Sequence, residues 1–429
     1  MTEYETEFSE FPKDWEVRRL NEIVELQRGL SYSSKEKSKD EIPDGYLFLT
    51  LNSVKEGGGL KEDGWTWIKS DRLKEKHFVR EGDLVIANTD IGMQRGRILG
   101  APAIVRFPEW YKKDKAVFSM DLSKLLLRIS NLEVNFLFYY LSFVQPLARK
   151  YHTGTNVWHL NLDSWAKDLL VPIPPLEEQK KIVEILNTVD FIITDTTNLI
   201  EKIKLLKEKI LNLLITGSIW HKEFEDTEIG KIPKNWEIKK LKDIVIYRKG
   251  IKPKDLYIKK VNDNYLPYLT AEYLRGESEP KYVNLNENKI IVAEPEDILM
   301  IWDGSGAGDI FIGFKGAVAS TFVCIKCNKN VIYPEYLYYY LLKKAETLKQ
   351  RTKGTGIPHI SKETFENLLV PIPPLEEQKK IVEILLTIDN KIKTETKYLD
   401  YMKKLKEKLL AALVTGKIRV NSIAIGDLR

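Results

Sequence analysis

The strongest pattern along the chain is an apolar heptad that follows a proline-rich run and occurs twice. The run LLVPIPPLEEQKKIVEIL stands at Leu169–Leu186, and Leu368–Leu385 repeats it residue for residue. A single repeat at about half the chain length indicates two duplicated modules rather than a solenoid. The prolines disfavour helix before them and favour a first helical turn after them. Each copy therefore predicts a short extended segment followed by a helix.

The apolar residues after the prolines recur with the spacing of a long coiled-coil helix. In the first copy one register holds Ile182, Val189, Ile203 and Ile210, and the other holds Ile185, Ile192, Leu199, Leu206 and Leu213. The second copy repeats the pattern with Ile381, Ile384, Ile388, Met402, Leu405 and Leu409. Neither proline nor glycine intervenes before Gly217 or Gly416, so each copy predicts roughly 40 residues of helix, about 60 Å long. We expect the two helices to pair antiparallel with each other; pairing with helices of other subunits is the alternative.

The duplication extends beyond the prolines. FPKDWEVRRL at Phe11–Leu20 matches IPKNWEIKKL at Ile232–Leu241, which places Trp15 over Trp236 as core anchors. Between such matched segments the two modules share little sequence. A duplicated scaffold with divergent loops is expected if each module contacts a different target.

Short alternating segments and glycine-rich turns predict an α+β fold without regular βαβ alternation. Strands are predicted at 84–87, 124–129, 298–301 and 321–325, and helices at 132–144 and 334–348. The predicted layout is a first module at 1–173, a long helix at 174–217, a second module at 218–372, a second long helix at 373–417 and a frayed tail at 418–429.

Composition restricts the protein class without identifying it. Hydrophobic residues make up 43% and charged residues 30%, as in folded proteins. The net charge of +5 permits nucleic-acid binding but does not require it. The polar, acidic start is no signal peptide, and the longest apolar run, 136–144, falls short of the ~20 residues that a membrane span needs. We expect a cytoplasmic protein.

Motifs of catalysis are missing from the sequence. There is no [DN]-P-P-[YFW] tetrapeptide of amino-methyltransferases and no G-x-x-x-x-G-K-[ST] phosphate loop. The glycine-rich run Gly304–Gly308 lacks the lysine, and carboxylates form no recognisable nuclease cluster. Cys324 and Cys327 form a lone C-I-K-C that looks like a strand, so we interpret them as incidental rather than as a zinc or redox pair. These patterns favour a non-catalytic role.

The repeated motifs resemble the specificity subunit of type I restriction–modification systems. The resemblance is carried by P-I-P-P-L-x-E-Q-x-x-I-V at 172–183 and 371–382, by the I-P-x-x-W-E module start, and by G-T-x-x-x-H at 154–159 and 354–359. It covers nearly the whole chain. The first module start is degenerate, and Trp158 stands where the second copy has Pro358.

The resemblance implies two target-recognition domains, each reading one half of a bipartite asymmetric DNA site through the major groove. The antiparallel helices would hold the domains apart, set the spacer and dock two modification (methyltransferase) subunits, and two restriction (translocase–nuclease) subunits can join. The chain itself would be non-catalytic within a DNA adenine methyltransferase and restriction endonuclease complex. No cofactor is expected on it; S-adenosylmethionine, Mg and ATP are expected on partner subunits only.

Base reading needs Arg, Lys, Asn or Gln at base edges, with small polar and basic groups on phosphates. Solvated surface charge is the alternative explanation for any single residue. The candidates in the first module are Gln27, Arg28, Tyr32, Ser33, Lys35, Asn88, Thr89, Gln94, Arg95, Arg97 and Thr155. Those in the second are Arg248, Lys249, Trp302, Ser305, Lys349, Arg351, Lys353 and Thr355.

Residues kept in both copies are poor candidates for reading two different sequences. We therefore expect His159 and His359 to make a structural hydrogen bond at the junction with the helix, with a phosphate contact as the alternative. A repeated surface patch is predicted to dock partner subunits, with helix capping as the alternative; it comprises Glu178, Gln179, Lys180, Glu377, Gln378 and Lys379. Two other hypotheses are a protein scaffold that binds no DNA and an enzyme with its own methylation or cleavage activity.

Overall fold

The computed structural model of the protein describes residues 11–91, 96–286, 289–304, 306–350 and 359–420. The chain divides into two units, residues 1–197 with 398–429 and residues 198–397. The limits of these units fall within the two long helices and not at the predicted domain boundaries. The first half of each long helix belongs to one unit and its second half to the other.

Fourteen strands and four α-helices begin in the first unit among its described residues. The strands are β1 (Glu16–Arg19), β2 (Val24–Arg28), β3 (Lys37–Ser38), β4 (Tyr46–Leu49), β5 (Thr66–Ile68), β6 (Phe78–Arg80), β7 (Leu84–Ala87), β8 (Thr89–Asp90), β9 (Pro102–Ile104), β10 (Lys115–Phe118), β11 (Leu122–Leu127), β12 (His152–Thr153), β13 (Trp158–Leu160) and β14 (Leu170–Ile173). The helices are α1 (Leu20–Ile23), α2 (Val134–Val144), α3 (Leu162–Asp168) and α4 (Leu176–Ile215), of which the first half lies in this unit.

The strands of the first unit form a central sheet and a second, mixed sheet. The central sheet has the order β2-β11-β7-β9 and the second has β3-β5-β4-β10-β6, in which β4 and β10 run parallel. A small sheet, β12-β13-β8, extends the end of β7, and β1 pairs with β14 immediately before the long helix. Helix α2 buries Phe136, Leu137 and Tyr140 in one core with Trp15.

The second unit repeats this arrangement. Its strands are β15 (Phe224–Thr227), β16 (Gly230–Pro233), β17 (Glu237–Lys240), β18 (Val245–Lys249), β19 (Tyr265–Leu269), β20 (Tyr282–Asn284), β21 (Val292–Ala293), β22 (Ile298–Ile301), β23 (Ile310–Phe311), β24 (Gly316–Val318), β25 (Phe322–Cys327) and β26 (Leu369–Ile372). Its helices are α5 (Leu241–Ile244), α6 (Ala271–Leu274), α7 (Pro334–Gln350), α8 (Lys362–Glu366) and α9 (Leu375–Val414), of which the first half lies in this unit.

The central sheets of the two units agree in strand order, and the five-stranded mixed sheet of the first unit corresponds to a four-stranded one in the second. The central sheet β18-β25-β22-β23 corresponds to β2-β11-β7-β9, and the mixed sheet β20-β19-β24-β21 keeps one parallel pair. At the module start, Glu237 faces Ile372 as Glu16 faces Ile173. The prediction of a duplicated α+β scaffold with two long helices is confirmed.

Helix pairing within each unit is antiparallel. In the first unit Ile182 shares a core with Leu413, and Asp190 pairs with Lys406 at 2.5 Å. In the second unit, Lys207 of α4 pairs with Asp389 of α9 at 2.5 Å, so the lysine and the aspartate have exchanged helices. The same two positions of the repeat therefore form a cross-helix ion pair in both units.

The buried seam of the helices corrects the predicted heptad register. On α4 the seam consists of Ile182, Leu186, Val189, Ile193, Thr196, Ile200, Ile203, Lys207, Ile210 and Leu214, all buried or half-buried. The register that begins at Ile182 was predicted correctly. The second register lies one residue later than predicted: Ile185 and Ile192 are half-buried beside the seam, while Leu199 and Leu206 are 39% and 53% exposed.

On α9 the seam runs through Ile381, Leu385, Ile388, Ile392, Glu395, Leu399, Met402, Lys406, Leu409 and Leu413. The predicted Ile384 and Leu405 are half-buried beside it. An apolar residue next to the seam cannot be told from a seam residue by spacing alone.

The chain beyond the second helix is not a frayed tail up to residue 420. Gly416 ends the helix with φ +72°, and Arg419 and Val420 pack into the first unit, where Val420 is 2% exposed. Residues 421–429 lie outside the described residues. The prediction of a frayed tail is wrong for 418–420.

Candidate nucleic-acid interface

The central sheet of the first unit and the small sheet that extends it carry four polar residues towards the end of β7. Arg28 ends β2 opposite Ser123 of β11, and Ser123 faces Ile86 of β7. Three residues beyond Ile86, Thr89 pairs with His159 of β13, and its hydroxyl lies 3.3 Å from His159 Nδ1. Arg28 is exposed, whereas Thr89 is 3% exposed. This end of the sheet, which we call the edge, therefore exposes a guanidinium and buries a neutral hydroxyl that contacts His159.

The equivalent edge of the second unit holds a different set of side chains. Lys249 ends β18 opposite Val323, Val323 faces Met300, and Asp303 bridges to His359. The Lys249 ammonium donates to Asp303 Oδ2 at 2.5 Å. The edge presents a carboxylate that is already paired with a lysine.

Glycine follows the basic residue in both units because of backbone packing. A Cβ on Gly29 would lie 2.3 Å from the carbonyl oxygen of Phe118, and one on Gly250 would lie 2.3 Å from that of Val318. Contacts this short exclude any side chain. The basic residue is thereby held at a fixed point of the sheet in both modules.

Aromatic stacking lies beside each edge. His152 stacks on Trp158 with ring centroids 3.9 Å apart, and Tyr247 stacks on Trp302 at 5.9 Å. Burial, together with a hydrogen bond from its hydroxyl to Glu366, raises the pKa of Tyr247 to about 12. Trp302 is half-buried, and its ring packs on Tyr247 and Phe365 rather than projecting into solvent.

The predicted DNA-contacting residues of the first module fall into distinct environments. Exposed positions are Arg28, Ser33, Lys35, Arg97 and Thr155, and half-buried ones are Gln27 and Tyr32. Arg97 pairs with Glu56. Asn88 and Thr89 are buried, which corrects the expectation that both are exposed on a loop: Asn88 Nδ2 donates to Ser123 Oγ at 2.9 Å. Gln94 and Arg95 lie outside the described residues.

In the second module, Arg248 and Lys249 are exposed, while Trp302 and Lys349 are half-buried. Lys349 pairs with Asp309 at 2.9 Å. Ser305, Arg351, Lys353 and Thr355 lie outside the described residues. Sequence reasoning missed Asp303 as a partner of Lys249, although its place directly after the strand β22 was a usable signal.

The predicted docking patch is largely interior. Glu178 accepts from Trp15 Nε1 at 3.1 Å, and Glu377 accepts from Trp236 Nε1 at 3.2 Å. Glu178, Gln179 and Gln378 are at most 1% exposed, which corrects the expectation that they form a surface patch, whereas Lys180 and Lys379 are exposed. The identical LEEQ runs are explained by identical contacts with the module starts.

Each such carboxylate also meets a basic residue from the segment after the other long helix. Arg419 donates to Glu178 at 2.7 and 2.9 Å and to Asp14 at 2.6 and 2.9 Å, and hydrogen bonding to these carboxylates raises its pKa. In the second unit, His221 Nε2 lies 2.8 Å from Glu377 Oε1. Sequence reasoning missed both residues.

Helix α4 also exposes an apolar stripe beside its seam. It comprises Ile185, Ile192, Leu199, Leu206 and Leu213, with Phe191 and Leu205 next to it, and Phe191 is 70% exposed. The equivalent stripe on α9 is mixed, with Ile384, Lys391, Tyr398, Leu405 and Ala412. An exposed apolar stripe beside the seam of a helix pair is a surface suited to contact with a further helix or protein.

Within the part of the chain that the structure describes, no group of three or more His, Cys, Asp or Glu residues could hold a metal ion. The same residues include no helix long and apolar enough to cross a membrane. Cys324 lies in strand β25, and burial raises its pKa to about 12.

Comparisons with known proteins agree with the geometry. The family model of the type I restriction modification DNA specificity domain matches residues 12–205 and 233–403. The type I restriction enzyme MjaVIII specificity subunit of Methanocaldococcus jannaschii is 42% identical over 192 residues, 45% of each chain. The putative MjaX specificity subunit of the same organism is 30% identical over 430 residues, 97% of this chain and 96% of that relative.

A solved structure shows the same fold. The type I restriction–modification S subunit from M. genitalium covers 94% of this chain and 96% of its own, with a TM-score of 0.60 and 18% identity. The family model matches both copies of the repeat, and a relative matches almost the full length. The chain therefore belongs to the family of type I restriction–modification specificity subunits.

Proposed function

We propose that the chain directs a DNA adenine methyltransferase to a bipartite, asymmetric DNA sequence, with each module reading one half-site through the major groove. The observation that carries this proposal is the pair of sheet edges with equivalent strand registers and different side chains, Arg28 and Thr89 in one and Lys249 and Asp303 in the other. A shared scaffold with different hydrogen-bonding groups suits two readers of different sequences.

Docking of two methyltransferase subunits by the long helices is part of the proposal. The exposed stripe on α4 that contains Leu199 and Leu206 offers an apolar face that the helix pairing of this chain leaves uncovered. Such faces on otherwise charged helices mark protein–protein contacts. Specificity subunits of this family are generally non-catalytic, so S-adenosylmethionine, Mg and ATP are assigned to partner subunits, and two restriction subunits can join.

The test is a methylation map of DNA from cells that express this chain with its methyltransferase subunit. Methylated adenines confined to a two-part, gapped motif are the expected result. Sequence-specific methylation should disappear when this chain is omitted, which is the matched control. A complex that copurifies without sequence-specific methylation would instead favour a scaffold that binds proteins and no DNA.

A further inference from the structure

We propose that the two equivalent sheet edges each specify one G·C base pair by opposite hydrogen-bond chemistry. Arg28 contacts a guanine in the half-site of the first module, and Asp303 contacts a cytosine in the half-site of the second. This inference rests on the proposed DNA-reading function and adds to it the residues and the bases at one position of each half-site.

The equivalence of the two edges follows from the strand registers. Arg28 pairs with Ser123, which pairs with Ile86 on β7. Lys249 pairs with Val323, which pairs with Met300 on β22, so the two basic residues have the same strand register relative to β7 and β22. Thr89 and Asp303 each pair with the histidine of the repeated G-T-x-x-x-H segment. The two residue pairs therefore stand at the same point of the two modules.

The first edge offers donors without a local acceptor. Arg28 is exposed, and no ion pair of its guanidinium is found among the described residues, while the Thr89 hydroxyl contacts His159. A planar guanidinium donates two parallel hydrogen bonds, which match O6 and N7 of guanine. Guanine offers that pair of acceptors in the major groove, whereas cytosine and thymine do not.

The second edge offers an acceptor whose charge is already balanced. Asp303 accepts from the Lys249 ammonium through Oδ2, and its side chain remains 32% exposed. A carboxylate is repelled by phosphates, so this position disfavours a backbone contact. A carboxylate accepts from the N4 amino group of cytosine, and Lys249 lowers the cost of bringing its charge to DNA.

The test uses the full chain in complex with its methyltransferase subunit, on a plasmid library with randomised bases in both half-sites. Arg28→Ala is expected to lower discrimination at one G·C position of one half-site by about tenfold to a hundredfold. Asp303→Asn is expected to lower it at one G·C position of the other half-site and to move the preference towards adenine, which asparagine pairs with.

Control variants come from exposed ion pairs elsewhere in each module. Arg18→Ala, which removes the pair with Glu16, and Lys260→Ala, which removes the pair with Asp263, should leave both half-sites unchanged. Unchanged unfolding temperatures would show that the Arg28 and Asp303 variants fold, as expected for side chains at the surface.

Three results would overturn the inference: no change in either half-site, an equal loss of methylation at all sequences, or both variants altering the same half-site. An equal loss would indicate phosphate contacts, which carry no sequence information. The proposed function fails separately, through the absence of a two-part motif with the unaltered chain.

Discussion

At the scale of single residues, buried amides fasten each long helix to its module. Gln179 Oε1 accepts from the backbone N–H of Glu133 at 2.8 Å, and its Nε2 donates to the carbonyl oxygens of Asn131 and Pro174. Gln378 makes the same three bonds with Tyr333, Val331 and Pro373. Both glutamine side chains are fully buried, so neither amide can exchange these bonds for bonds to water without local opening.

Removing one of these amides should destabilise the fold. Gln179→Ala leaves a backbone donor and two carbonyl groups without their partner, at a cost of about 2–3 kcal/mol in the free energy of unfolding. The measurement is chemical denaturation of the variant beside Lys180→Ala, whose exposed side chain should change stability by less than about 0.5 kcal/mol. Equal effects of the two substitutions would contradict the structural role assigned to Gln179.

Arg419 is the second residue whose removal should have a local effect. Its loss removes two hydrogen bonds that the fully buried Glu178 carboxylate accepts and leaves the one from the Trp15 indole, so Arg419→Ala should cost about 2–3 kcal/mol. Arg419→Lys keeps the charge but not the forked geometry and should have an intermediate effect.

The location of that effect can be measured by hydrogen exchange. Arg419→Ala should speed exchange in peptides that cover residues 12–20, while residues 233–241, where His221 takes the equivalent place, should not change. Faster exchange in both segments would show that the contact is not local to the first unit.

At the scale of elements, the two apolar stripes of helix α4 should differ in what they stabilise. Ile200 is 6% exposed in the seam, so Ile200→Ala should lower the free energy of unfolding by about 2–4 kcal/mol. Leu206 is 53% exposed, so Leu206→Gln should leave the stability of the free chain within about 0.5 kcal/mol.

Binding to the methyltransferase subunit, measured by titration calorimetry, should show the reverse order. Leu206→Gln should weaken it about tenfold or more if the exposed stripe is covered in the complex. If Leu206→Gln binds the methyltransferase subunit with unchanged affinity, the stripe is not part of the docking surface.

Spacing alone predicted the helices well and their contacts less well. Proline before Leu176 and Leu375 and glycine at 217 and 416 bounded two 40-residue helices within about two residues. The second heptad register was wrong because apolar residues occupy both the seam and the stripe beside it. The burial of Glu178 and Gln179 was hidden because charged and amide side chains at a helix start ordinarily serve capping.

For the base-reading candidates too, the sequence predicted positions better than contacts. The sequence analysis named Arg28 and Lys249 as candidates, but the pairing of Lys249 with Asp303 depends on residues 54 positions apart in the chain. Tertiary pairing across a sheet is not encoded in local spacing. The sequence therefore predicted which basic residues lie at the edge, but not which of them is already hydrogen-bonded to a carboxylate.

At the scale of the whole molecule, the length of the helices is expected to set the spacer between the half-sites. The ion pairs Asp190–Lys406 and Lys207–Asp389 mark one point of helix contact in each unit. Seven residues inserted between 190 and 207 and seven between 389 and 406 would keep both ion pairs and the seam register, since a heptad is the repeat of the seam.

Such a double insertion adds about 10 Å of helix, at 1.5 Å per residue. DNA rises about 3.4 Å per base pair, so the methylated motif should gain a spacer of about three base pairs while both half-sites stay unchanged. Methylation mapping of the variant measures this directly. A heptad inserted into one helix alone is the control: it cannot keep both ion pairs in register and should lower stability. An unchanged spacer in the double insertion would refute the idea that the helices act as a ruler.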